Sequence, residues 1–279
     1  MSFDDIFVGL EERAAAAIQA EQGDFILDGL LHCGKCKTPK QCRVDFLGTI
    51  RTPMCLCKCR MEELAAEEAE KKRIEYQEYI NENRNVCFPE DKLKTWTFEI
   101  DDNANAKIST AMRNYVENFE KFKGSGKGLL LYGDTGRGKT FHAACVANAL
   151  LDKGYRVLMT NFKRIENTVS GMFAGKQEYL DSLNRFPLLI LDDLAAERKT
   201  EYMAEIVYNV IDARYRAGLP LIVTSNLTGE ELQSAADMQY KRAFSRLYEM
   251  CVPVKVEGKD RRAEKLKADI APMKELLGL

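Results

Sequence analysis

One segment, GDTGRGKT at Gly133–Thr140, restricts what this chain can fold into more than any other part of it. It satisfies G-x-x-x-x-G-K-[ST] in full. Such a loop works only between a strand and a helix. Its glycines let successive backbone N–H groups turn inward around phosphate oxygens, and the helix N-terminus behind them favours negative charge. The flanks comply: GLLLYG (128–133) is an apolar run of strand length, and a helix-forming stretch runs from Lys139 to about Asp152. Gly133, Asp134, Thr135, Gly136, Arg137, Gly138, Lys139 and Thr140 are therefore the candidate nucleotide-binding residues. Lys139 would reach the β- and γ-phosphates of ATP, and the Thr140 hydroxyl would ligate Mg2+. The bland alternative is a chance match in an ordinary turn, and the context on both sides tells against it.

Downstream, short apolar runs alternate with longer helical stretches. YRVLMT (155–160), PLLILDD (187–193) and LPLIVTSN (219–226) read as strands. A helical stretch to about Leu183 and a helix from about Thr200 to Arg216 separate them. Continuous apolar runs mark strands buried on both faces, and strand–helix alternation implies an α/β fold with a parallel sheet sandwiched by helices. Asp192, at the end of its strand, is a candidate for the magnesium shell, and Asp193 for orienting the attacking water. Two acids after a strand are more often a helix cap, but these follow a complete phosphate loop. Asn226 ends the next strand, where the ligand-facing edge of a parallel sheet lies, although strand-end capping explains it as well. In YKRAFSRLYEM, Arg242 and Arg246 share one helix face. Planar guanidinium charge suits a phosphoryl transition state, in cis or from a neighbouring subunit; a solvated basic face is the plainer reading.

Cysteine usage is the second constraint. Of nine cysteines, six (Cys33, Cys36, Cys42, Cys55, Cys57, Cys59) fall within one short stretch. The N-terminus, MSFDDIFVGLEER, is acidic where a secretion signal needs a basic and then an apolar run, so the expected location is cytoplasmic. No apolar run approaches the ~18 residues of a membrane-spanning helix, which excludes a membrane protein. In a reducing compartment clustered thiols more often bind metal than form disulfides. Two pairs from Cys33-x-x-Cys36 and Cys55-x-Cys57-x-Cys59 would complete a tetrahedral zinc site. The preferred set is Cys33, Cys36, Cys57 and Cys59, with Cys55 its main competitor, then Cys42 and His32. The metal would supply folding energy that so small a segment lacks. A thiol redox role is the alternative. Cys87, Cys145 and Cys251 read as small packing residues.

The organisation follows from these anchors. Residues 1–60 are expected to form a small zinc-binding domain, opening with a short amphipathic helix around Ile6, Leu10 and Ile18. Residues 61–94 read as a charged connector helix and linker. Glu67 with Lys71 and Glu68 with Lys72 support the helix from Met61 to about Asn83. Residues 95–279 would form the ATPase domain. A net charge of −2 rules out a strongly basic nucleic-acid coat while leaving room for a local basic channel.

In this order (knuckle, charged helix, phosphate loop, LLILDDL, VTSN, RAFSRL) the chain resembles the DnaC/DnaI-type bacterial replicative helicase loaders, including phage-borne versions. The ATPase resemblance covers roughly residues 95–270, and the knuckle is similar to the zinc-binding N-terminal domain of some members. The resemblance implies a P-loop AAA+ ATPase using ATP, Mg2+ and Zn2+. Such an ATPase delivers a ring-shaped hexameric replicative helicase onto single-stranded DNA and self-associates through its ATP sites. It further implies Walker B roles for Asp192 and Asp193 and sensor 1 for Asn226. Arg246 would be an arginine finger for a neighbour's ATP, and Arg262 of GKDRR sensor 2, with Arg261 its close competitor. The N-terminal region would grip the helicase. Asp193 stands where many AAA+ proteins carry glutamate, so hydrolysis is expected to be slow, and the C-terminal lid from about Gly229 is short.

Three other readings compete. An IstB-type transposition helper shares the ATPase core but normally lacks a cysteine knuckle. A small-molecule P-loop kinase would need neither the knuckle nor the Arg246 face. A zinc adaptor with a decayed ATP site conflicts with the intact Lys139, Thr140 and Asp192.

Overall fold

The computed structural model describes residues 21–102, 105–194, 200–227, 231, 238–261, 270, 272–274 and 276–277. The expected helix around Ile6, Leu10 and Ile18, Arg262, and part of the expected lid (229–230, 232–237 and 262–269 among it) lie outside the described residues. The chain divides into two compact units between Glu78 and Tyr79.

In the first unit, β1 (Phe25–Leu27) pairs antiparallel with β2 (Leu30–His32), and β3 (Val44–Phe46) with β4 (Thr49–Arg51). Each hairpin turns through two residues in the left-handed region, Asp28–Gly29 and Leu47–Gly48. That geometry matches the natural twist of paired strands. The sequence suggested only a loop-rich knuckle, because three-residue strands carry no readable periodicity. Helix α1 (Lys58–Cys87) starts inside the second thiol motif, before the expected Met61, and runs past Asn83 and Asn85. The Asn83 amide is accommodated by donating to the Tyr79 carbonyl one turn back, at 2.8 Å. The helix stops ahead of Pro89, which disfavours helical backbone in the residue before it.

The second unit is built on one parallel sheet. Its strands are β5 (Gly128–Tyr132), β6 (Val157–Asn161), β7 (Leu188–Leu194), β8 (Leu221–Ser225) and β9 (Cys251–Lys255), in spatial order β6-β7-β8-β5-β9. β9 is absent from the sequence expectation: Pro253 and Lys255 interrupt its apolar pattern, and its place at the sheet edge is what tolerates them. On one face lie α2 (Ala106–Glu117) and α4 (Lys139–Asp152); on the other lie α5 (Phe162–Ser170), α7 (Glu201–Ala217) and α8 (Met238–Met250). Between these come α3 (Phe119–Ser125), after α2, and α6 (Lys176–Ser182), after α5. Alternate strand residues enter opposite cores: Leu129 and Leu131 pack with Ala143 and Ala147, Leu130 with Val207 and Ile211. This two-sided burial is the physical source of the continuous apolar runs. Arg214, fully buried on α7, donates to the carbonyls of Phe186 at 2.9 Å and Pro220 at 2.5 Å, ahead of β7 and β8.

Candidate nucleotide-binding site

β5 ends at Tyr132 and α4 begins at Lys139, so the glycine-rich segment forms the whole turn between them. Gly133 adopts φ 138° and Gly136 φ 81°, both open to glycine and poor for other residues. At Gly133 the need is also spatial, since a Cβ there would lie 2.6 Å from the Val256 carbonyl oxygen. Asp134 and Thr135 are exposed at the loop crest, whereas Lys139 is buried. The Lys139 ammonium donates to the carbonyls of Gly133 (2.6 Å) and Asp134 (2.8 Å), which holds positive charge against the loop itself.

The acid pair sits on a distortion that the sequence did not announce. β8 lies between β5 and β7 in the sheet, which interposes Thr224 between the loop and the acids. Leu191 pairs with Val223 and Leu194 with Ser225, so Asp192 and Asp193 together face the single residue Thr224. Asp193 takes φ 57°, a conformation that aspartate tolerates better than most side chains. A bulge of this kind re-aims side chains. The Thr224 hydroxyl donates to Asp192 Oδ1 at 2.6 Å and accepts from the Asp193 N–H at 2.9 Å. The Thr140 hydroxyl donates to the same Oδ1 at 2.9 Å. Burial raises the Asp192 carboxyl above the ordinary carboxylate range; Thr224 opposes this, the Asp193 charge adds to it, and Thr140 and Lys139 oppose it. The structure therefore brings Lys139, Thr140, Asp192 and Asp193 into one constellation. Thr224 was missed, although a threonine inside an otherwise buried apolar strand was the available signal.

The remaining site residues are placed differently. Asn226 is exposed, one residue past the end of β8, which is shorter than the expected strand. Arg246, on α8, forms an ion pair with the buried Asp212 of α7, while Arg242 one turn earlier is exposed. The segment after β9 lies against the loop. The Arg261 N–H donates to the Gly136 carbonyl at 3.0 Å, and the Arg137 guanidinium reaches the Gly258 carbonyl. The Arg261 guanidinium lies 4.9 Å from the Phe141 ring centroid and pairs with Asp102 at 2.5 Å. Burial pushes the His142 imidazole down to about 4, which keeps it neutral at physiological pH.

The first unit carries its own cluster. The thiols of Cys33, Cys36, Cys57 and Cys59 lie within 4.8 Å of one another and could hold a metal ion. Two sulfur–sulfur separations are 3.6 Å (Cys33–Cys59) and 3.4 Å (Cys57–Cys59). A zinc–sulfur bond of about 2.3 Å demands tetrahedral edges of about 3.8 Å, so the donor set fits. Thr38 joins the halves: its hydroxyl lies 3.0 Å from the Cys36 sulfur and accepts from the Lys58 N–H at 2.9 Å. The Thr38 hydroxyl and nearby backbone N–H groups lower the Cys36 thiol to about 5, while the Cys57 thiol and burial push Cys59 up to about 12. Cys42 and Cys55 are engaged elsewhere, at the carbonyls of Pro53 (3.8 Å) and Pro39 (3.7 Å), and His32 Nδ1 lies 3.0 Å from the Leu30 carbonyl.

A phosphate loop on one strand, with an acid pair two places away in a five-stranded parallel sheet, defines a P-loop ATPase of AAA+ type. The chain belongs to the IstB-like ATP binding protein family, whose model matches residues 58–268. It is 29% identical over 167 residues to the replicative helicase loader DnaI of Bacillus subtilis, covering 54% of each chain. It is also 29% identical over 147 residues to a putative insertion sequence ATP-binding protein of Sinorhizobium fredii, covering 51% of this chain and 47% of that one. The chain spans about half the length of the curated relatives it matches. The crystal structure of DnaI superposes with TM-score 0.52 at 23% identity, covering 64% of this chain and 99% of the other, a likeness of fold. Among the described residues no helix is long and apolar enough to cross a membrane.

Proposed function

We propose that this protein is an ATP-dependent loader that places a replicative DNA helicase on single-stranded DNA. One observation carries the reading. The IstB-like match begins at Lys58, so the hairpins and the first thiol pair lie ahead of it, joined in one chain to an intact ATP site. A relative 29% identical over 167 residues, DnaI, is by name a replicative helicase loader.

In this proposal the backbone N–H groups of Gly133–Gly138 and the Lys139 ammonium receive the β- and γ-phosphates of ATP. Thr140 and Asp192, already bridged, would hold Mg2+, whose chemistry is to neutralise charge developing on the phosphates. Asp193 orients the attacking water, and its short side chain makes turnover slow. Asn226 assists at the γ-phosphate, Arg262 contacts the nucleotide, and Arg246 serves the ATP of a neighbouring subunit. Cys33, Cys36, Cys57 and Cys59 would hold a structural Zn2+ that orders the helicase-gripping domain over residues 1–60. Residues 61–94 connect it to the ATPase domain over 95–279. The protein would act in the cytoplasm.

A second reading, a transposition helper, draws support from the family match and from the insertion-sequence relative. One experiment separates the two. The tagged full chain is purified from its own host with ATP present, and the co-purifying protein is identified. Recovery of a ring-shaped replicative helicase supports the loader; recovery of a transposase in its place overturns it.

A further inference from the structure

Asp212 is a buried acid for which the ATP chemistry described so far has no use. Its two carboxylate oxygens are divided between two guanidinium groups: Oδ1 pairs with Arg246 of α8, and Oδ2 with Arg216 one turn on in α7. An acid with one arginine partner would cancel that partner's charge. An acid shared by two leaves one positive charge among these three side chains. Arg246 is further confined by aromatic rings, its guanidinium carbon lying 4.8 Å from the Tyr208 centroid and 5.7 Å from that of Tyr215. The Tyr215 hydroxyl in turn donates to Glu249 of α8 at 2.7 Å, which fixes the second ring. Beneath this polar layer α7 and α8 share one core through Val207, Ile211, Ala243 and Leu247.

The geometry points to Asp212 as a positioning residue that seats the Arg246 guanidinium for use at a neighbouring subunit's ATP. This rests on the finger role proposed for Arg246. A free arginine surrenders its rotamer freedom when it engages a phosphate, whereas a seated one has surrendered it on folding. The seat does not consume the group, because Asp212 engages Nη1 of a planar fork that carries five donors. The side chain also keeps 26% of its surface exposed. A plain structural ion pair is the rival account, and it makes no statement about which subunit suffers when the acid is lost.

That difference is measurable. Asp212→Asn keeps the shape and removes the charge. Full-length protein is assayed for ATP hydrolysis over a range of concentrations, with poly(dT) as the assembly probe. The variant should bind a fluorescent ATP analogue as wild type does, keep its KM, and lose kcat roughly tenfold. Mixed with Lys139→Ala, whose Asp212 and Arg246 are intact, it should regain turnover, because its sound phosphate loop then meets a seated arginine. Wild-type kcat in Asp212→Asn overturns the inference. So does a loss that Lys139→Ala fails to repair, since the acid then supports only its own subunit's fold. Failure of the finger reading looks different: Arg246→Ala itself would hydrolyse ATP at the wild-type rate, or wild-type specific activity would not rise with concentration.

Discussion

From Tyr79 onward most of the buried apolar residues are leucines, isoleucines, valines, alanines and aromatics, packed on both faces of a sheet; up to Glu78, the buried apolar residues among those described are Cys33 and Cys57. The same unit leaves Ile26, Leu47 and Ile50 largely in solvent. Each fully buried aliphatic side chain of the sheet unit contributes about 1.5–3 kcal/mol, and the thiol unit has almost none to count. Its polar interior is specific instead, with Lys40 paired to Asp24 at 2.6 Å and the thiols drawn together at its centre. One unit is therefore held by burial, while the other, lacking an apolar core, would depend on the zinc proposed for its thiols, and each should yield to a perturbation that spares its neighbour.

Metal removal should produce the largest effect. A structural zinc of this type is worth about 10 kcal/mol or more in apparent binding energy, more than a unit without an apolar core can replace. Chelation, or Cys36→Ser, should expose the amides of β1–β4 to hydrogen exchange while β5–β8 stay protected. Persistent protection in β1–β4 after stripping would break the comparison. The opposite perturbation is Arg214→Met, which orphans the carbonyls of Phe186 and Pro220. It should cost about 3 kcal/mol, lowering the melting temperature of the sheet unit with zinc content unchanged by elemental analysis.

Smaller effects sharpen the picture. Thr224→Val removes the hydroxyl between the two acids, a loss of about 1–3 kcal/mol where Asp192 is left short of a partner. Because Thr224 lowers the Asp192 carboxyl, the variant's carboxyl should rise further. Magnesium-dependent ATP binding, titrated against pH, should then fail at a higher pH than in wild type. Asp24→Asn should be the mildest. Lys40, then the Gly34 and Glu21 N–H groups, hold the Asp24 carboxyl down to about 2. A depressed folded value stabilises above the unfolded value of about 3.9, and this contribution fades as pH falls toward 2. At neutral pH the variant should release zinc to a chelator somewhat faster than wild type, with ATP binding unaltered.

Legibility in the sequence tracked the range of each interaction. The loop was readable because the residues that would meet the phosphates lie within one turn between β5 and α4, although Val256 and Arg261, far along the chain, also press against it. β9 was not, because edge position is a property of the assembled sheet and not of CVPVK itself. α1 ran through Asn83 and Asn85, with Asn83 absorbed by a side-chain bond one turn back, whereas Pro89 offered no such escape. In the thiol unit the two cysteine pairs were visible as spacing, but Thr38, which joins them, looked like any turn residue.

The sequence alone determined the phosphate loop, the buried strands on either side of it and the paired thiols, since each is set by neighbours a few residues away along the chain. Tertiary structure decided the rest. It placed β8 between β5 and β7, and so brought the Thr224 and Thr140 hydroxyls to the same Asp192 oxygen, from 32 and 52 residues away. It also set Arg246 of one helix on Asp212 of another. Strand order and helix packing follow from how two apolar faces close on a single sheet, and no local pattern encodes which polar side chains that closure brings together.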